Sequence, residues 1–150
     1  MKIIVCVDNQ NGMMFNHRRQ SQDRVLRKRI LELTGGKKLW MNAYSQKQFL
    51  QVNGNMPKEQ EQPGQLGQSG QIQADEAFLE KAGPGEPCFV EDRSVAPFAG
   101  RVERVVLYRW DRAYPADLYW DLSLEGWTLA RREEFPGFSH KLITKEVYIP

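Results

Sequence analysis

The sequence predicts an α/β fold: a three-layer sandwich with a mostly parallel central sheet and a C-terminal antiparallel hairpin. Three observations predict it. The apolar run Ile3–Ile4–Val5–Cys6–Val7 opens onto a polar loop and an amphipathic helix, and a second strand and helix start follow at Leu39–Trp40–Met41 and Ser45. Strands that alternate with helices pair in parallel, because a crossover is needed to return the chain. The last third is rich in strands instead, with Val105–Val106–Leu107–Tyr108, Gly126–Trp127–Thr128–Leu129 and Leu142 to Ile149 separated by turn residues such as Pro136–Gly137. Finally, 150 residues with 41% hydrophobic content form one domain, 1–150, with a packed core.

Each element has a local reason. Residues 2–7 read as a central strand, since every position after Lys2 is apolar up to Asp8. Residues 9–20 lack a period, carry Gly12 and read as a loop. Ser21 is the expected N-cap of a helix over 22–33, with Leu26, Ile30 and Leu33 at i, i+4 and i+7 as its apolar stripe. Gly35–Gly36 stops it. A second strand is expected over 37–42 and a second helix over 45–50. Residues 53–71 (NGNMPKEQEQPGQLGQSGQ) offer only Met56 and Leu66 for burial, which cannot offset the entropy of ordering; a disordered insertion within the domain is expected. Asp75 to Lys81 reads as a short helix ended by Gly83–Pro84–Gly85, Cys88–Phe89–Val90 as a third buried strand, and Val102 to Trp110 as the next.

Composition excludes several classes. A net charge of +2 is too mild to imply nucleic acid by itself. No apolar run approaches the roughly 20 residues that span a bilayer, so no membrane partner is expected. No secretory signal is evident, and a cytoplasmic location is the default expectation. Cys6 and Cys88 sit in strand-like runs and read as buried reduced thiols. The two histidines, His17 and His140, make no metal cluster with acids at ligand spacing and read as surface or structural residues.

In order and spacing these pieces resemble the dihydrofolate reductase family over nearly the whole chain. Val7–Asp8 and Gly12–Met13 resemble the end of its first strand and the start of its mobile loop. Asp23 falls where the family places its single acid. Lys37 to Met41 with Ser45, Asp75–Glu76–Ala77 before the strand at 88–90, Val105 to Trp110 with Asp117 to Trp120, and Trp127 with Ser139–His140 match later elements. The resemblance implies a ligand site between the first helix and the central strands. Asp23 is its expected catalytic acid, and Ile3, Ile4, Met13, Arg18, Arg19, Arg27, Phe49, Phe89 and Tyr108 are its expected ligand-binding residues. Replacing Asp23 by Asn is expected to weaken ligand binding more than stability.

The departures are equally informative. Where the family has paired glycines beside the cofactor pyrophosphate, this chain has Val90–Glu91–Asp92, and Pro97 shortens any helix that follows. Asn42–Ala43 replaces a glycine and a basic residue, and His17–Arg18–Arg19 replaces a Pro-Trp pair. The expectation is a divergent member that binds a pterin- or nucleotide-like ligand, uses no cofactor and does not reduce dihydrofolate with NADPH in the usual way. Two alternatives stay open: a reductase with an altered cofactor site, and a module that binds RNA or protein through Arg18, Arg19, Arg24, Arg27, Lys28 and Arg29. The sequence does not specify the oligomeric state.

Overall fold

The computed structural model describes residues 1–54 and 71–150. The insertion expected at 53–71 lies outside these residues except at its ends. Asn53 and Gly54 close a helix, and Gln71 is buried, its Nε2 donating to Thr34 Oγ1.

Among the described residues, ten strands form two sheets. β1 (Lys2–Val7), β4 (Leu39–Met41), β5 (Ile72–Ala74), β6 (Pro87–Val90), β7 (Arg104–Arg109), β9 (Thr128–Phe135) and β10 (Ile143–Ile149) make the larger one, in the order β5-β4-β6-β1-β7-β10-β9. The first five run parallel, and β10 pairs antiparallel with both β7 and β9. Helices α1 (Arg24–Thr34), α2 (Ala43–Gly54) and α3 (Phe78–Lys81) and a 3-10 turn (Ala96–Arg101) complete the layers. The mostly parallel sheet with an antiparallel C-terminal pair is the architecture that the sequence predicts.

The strand period divides the core. Ile3, Val5, Val7, Cys88, Val90, Val105 and Leu107 face one layer with Phe78 and Leu79. Ile4, Phe89, Val106 and Tyr108 face the other, where α1 supplies Leu26 and Ile30 and α2 supplies Phe49. Cys88 is buried, Cys6 is half-buried and both are free. Burial pushes the Cys88 thiol up to about 12, and it raises Cys6 as well, with Glu91 adding to the effect.

Five local expectations are corrected. The loop expected over 9–20 contains β2 (Gly12–Phe15) and β3 (Arg18–Arg19), which form a small sheet with β8 (Leu118–Tyr119). Their turn places Asn16 and His17 at φ 52° and 62°, a left-handed geometry that Asn tolerates well. The N-cap of α1 is Asp23 rather than Ser21: its carboxylate accepts from Val25 N and Leu26 N, so the helix begins at Arg24. Leu33 is exposed and Thr34 is buried, so the stripe ends on Leu26 and Ile30. The helix expected from Asp75 shortens to α3, because Asp75 Oδ1 accepts from Ala77 N in a preceding turn. α2 starts at Ala43, two residues before Ser45, with Asn42 Oδ1 accepting Ser45 N.

Gly12 sits where the small sheet meets the large one. A Cβ there would lie 2.6 Å from Gln20 Nε2, 2.7 Å from Ala116 Cβ and 2.9 Å from Asp8 Oδ2. Gly12→Ala should therefore destabilise by about 1–3 kcal/mol, the usual cost of overpacking. Urea unfolding checks it; an unchanged midpoint would show that the surrounding loops give way freely.

Candidate functional site

The chemistry gathers at the C-terminal ends of β1, β6 and β7, the edge of an open α/β sheet where crevices form. Two buried carboxylates and one partly buried ion pair organise it. Asp8 follows β1. Its Oδ1 accepts from Gln10 N and Gly12 N at 2.8 Å each, and its Oδ2 accepts from Gln20 Nε2 at 3.0 Å and Tyr114 N at 3.1 Å. Burial pushes this carboxyl up, but the N–H of Gly12 and the other donors outweigh it and hold the group below its ordinary value. Asp8 thus ties the 9–12 turn, the end of the hairpin and the 111–117 loop to the sheet.

Asp23 is the second. Besides capping α1, its Oδ1 accepts from Phe138 N at 3.0 Å, and its Oδ2 accepts from Ser139 N at 2.9 Å and Ser139 Oγ at 3.2 Å and lies 2.9 Å from His140 Nδ1. The carboxylate is fully buried. Burial raises its pKa, but the Phe138 N–H, the His140 ring and the Ser139 and Leu26 N–H groups together hold it well below the usual carboxylate range. A carboxylate only accepts, so Nδ1 carries the ring proton. Nε2 then accepts, and it lies 2.9 Å from Ser21 Oγ and 3.3 Å from Tyr114 Oη. The ring is stacked on Trp110 at 4.6 Å between centroids.

The third is an ion pair across the crevice. Arg19, on the hairpin, donates from Nε at 2.9 Å and Nη2 at 3.1 Å to the two oxygens of Glu91, just after β6. Its Nη2 also meets Tyr44 O at 3.2 Å, its backbone N–H donates to Tyr44 Oη, and its guanidinium lies 4.3 Å above the Tyr44 ring. Asp92 is held by Asn42 Nδ2 at 2.7 Å and Arg93 Nε at 2.9 Å.

Two cavities flank the hairpin. One, about 540 Å³, is lined by Met14, His17, Tyr44, Asp92, Asp117 and Leu118. The other, about 310 Å³, is lined by Phe15, Asn16, Arg18, Arg19, Gln20, Tyr114 and Pro115. A third, about 480 Å³, opens at the other end of the sheet, where Lys2, Pro87 and Arg104 begin their strands, and its lining holds no carboxylate or histidine. Among the described residues no group of three or more His, Cys, Asp or Glu residues forms a metal site.

The expected site residues separate. Arg18 and Arg19 line the smaller crevice cavity, and Asp23 connects to its Tyr114 wall through His140. Ile3 and Met13 are buried in one core layer; Ile4, Phe49, Phe89 and Tyr108 are buried in the other. Of these six, Ile4 lines a cavity, the one at the far end of the sheet. Arg27 is half-buried and donates to Gln22 Oε1 at 3.1 Å. Sequence reasoning missed Asp8, Ser21, Glu91, Trp110, Tyr114 and His140. Asp8 and Glu91 carried a signal, as acids that directly follow apolar strands. Ser21 and His140 carried none, because 119 residues separate them.

No protein-family model matches the chain, and no curated protein matches it in sequence. Among solved structures it is similar to a dihydrofolate reductase from Enterococcus faecalis complexed with NADP(H) and RAB-propyl. The match has a TM-score of 0.60 at 10% identity and covers 99% of this chain and 94% of that one. Among the described residues, no helix is long and apolar enough to cross a membrane. Strand order, layers and this full-length match together give the chain a dihydrofolate reductase-like fold.

Proposed function

We propose that the chain is a divergent dihydrofolate reductase-like domain that binds a small pterin- or nucleotide-like ligand in the crevice beside the β2–β3 hairpin, without the usual NADPH-dependent reduction. One observation carries this reading: the Arg19–Glu91 pair fills the strand end where the resemblance would place a cofactor phosphate. The side chains of Val90, Glu91 and Asp92 stand where paired glycines would let the backbone approach a pyrophosphate, and the two carboxylates are already engaged by Arg19, Asn42 and Arg93. The turn that follows is a 3-10 helix with Pro97 near its start, so no long helix offers its N-terminus to an anion.

The two flanking cavities suit opposite ends of one class of ligand. Asp92 and Asp117 supply acceptors for the amino groups of a heterocycle, and Arg18 supplies a cation for an anionic tail. A thermal-shift series with pterins, folates, NADPH and short RNA tests the reading. The expected result is stabilisation by a pterin or folate and none by NADPH. Micromolar NADPH affinity by calorimetry, or hydride transfer to dihydrofolate by the purified chain, would overturn it in favour of an active reductase. Stabilisation by RNA alone would favour the basic binding module.

A further inference from the structure

We propose that Ser21, His140 and Asp23 form an acyl-transfer triad that hydrolyses small carboxylic esters carrying an anionic group. The two contacts that define such a triad are both present: Ser21 Oγ to His140 Nε2 at 2.9 Å, and His140 Nδ1 to Asp23 Oδ2 at 2.9 Å. The roles follow from the chemistry of each group. Asp23 is ionised and buried, and fixes the tautomer that leaves Nε2 free to take a proton. Backbone donors from Phe138 and Ser139 hold the carboxylate, and Trp110 holds the imidazole plane. Ser139 Oγ lies 3.2 Å from Nδ1, and Tyr114 Oη shares Nε2 at the longer 3.3 Å.

Capping explains Asp23 without a histidine, and it does not explain a half-exposed serine placed on the far ring nitrogen. The cavity lined by Gln20, the residue before Ser21, and by Tyr114, whose Oη lies 3.3 Å from His140 Nε2, offers a place for substrate next to the triad. It contains Arg18, whose guanidinium meets no carboxylate among the described residues.

The reaction balances with water alone. Ser21 Oγ bonds to the ester carbonyl carbon and gives its proton to His140 Nε2. The carbon–alkoxy bond breaks, and the leaving oxygen takes that proton. Water then attacks the acyl-serine, loses a proton to Nε2 and releases the carboxylic acid, and the proton returns to Oγ.

The test uses the full chain. A fluorophosphonate probe should label the protein, with peptide mass spectrometry placing the adduct on Ser21. 4-Acetoxybenzoate should be hydrolysed above the solvent rate. Ser21→Ala should abolish labelling and lower kcat/KM at least 100-fold, and Arg18→Met should raise KM for 4-acetoxybenzoate about tenfold. A folded wild-type chain that is not labelled on Ser21 and hydrolyses no ester overturns the triad, as does activity that survives Ser21→Ala. An unchanged KM in Arg18→Met overturns the anionic substrate class. The proposal rests on the crevice being a ligand site, and the two fail separately: pterin stabilisation without labelling leaves binding standing, and labelling without pterin stabilisation leaves the triad standing.

Discussion

Asp23→Ala should lower the unfolding free energy by about 3–5 kcal/mol, the range for removing one partner from a buried charged network. The reason is the number of groups left stranded. Val25 N, Leu26 N, Phe138 N, Ser139 N and His140 Nδ1 all face the carboxylate, and its removal unpairs all five at once, Leu26 N and His140 Nδ1 in fully buried contacts. Gly137 is packed so closely that a Cβ there would lie 2.6 Å from Asp23 Oδ2, so the 136–140 turn is shaped around this side chain. Asp23→Asn should be nearly as damaging. An amide offers one acceptor oxygen where the site needs two, and its NH2 would face the donors of Ser139 and His140. The sequence-based expectation differs, since it has Asp23→Asn weaken ligand binding far more than stability. The pH dependence has a defined sign. The folded carboxyl lies below its unfolded value, so its stabilisation is fully present above the unfolded range near pH 4 and is lost as pH falls toward the folded value. Urea unfolding from pH 7 down to pH 3 should show a falling acid limb in the wild type that is shallower in Asp23→Asn. Equal limbs would show that another group controls acid stability.

The physical form of each element decided whether the sequence revealed it. β1, β6 and β7 are parallel strands covered on both faces, so they appear as unbroken apolar runs. The end of α1 was legible because Gly35, at φ 57°, takes the left-handed position that closes a helix. β2 and β3 were not legible, since their turn uses Asn16 and His17 at positive φ in place of glycine. β9 was legible only at its start: Thr128 to Arg132 are all exposed at the sheet edge, so no apolar alternation marks the strand. Leu33 misled because spacing cannot show where the neighbouring sheet ends. The site was the least legible part. Asp23 was singled out through its place after the loop, but its partner His140 is 117 residues away, and only the antiparallel return of β9 and β10 brings the two together.

Arg19→Met should cost about 3–5 kcal/mol, and most of that should return when Glu91→Leu is added. The single change strands a carboxylate that is 7% exposed, deprived of both guanidinium contacts that now satisfy it. The double change removes the stranded charge and fills the same volume with apolar atoms, against neighbours that include the half-buried Cys6 and the Tyr44 ring. A double-mutant cycle by urea unfolding isolates the pair: a coupling of about 2 kcal/mol or more is expected. Additive losses would show that Arg19 acts through Tyr44 alone, since its stacking and backbone contacts do not involve Glu91. The same cycle bears on ligand binding. The hairpin carries residues of both crevice cavities, and the Arg19–Glu91 pair anchors it to the end of β6. Releasing that anchor in Arg19→Met should speed hydrogen exchange over 12–19 and weaken any pterin stabilisation at least tenfold. Restoring packing with the double variant should slow exchange again without restoring the cation. If affinity follows packing, the pair positions the hairpin; if it stays lost, Arg19 itself holds the anionic tail.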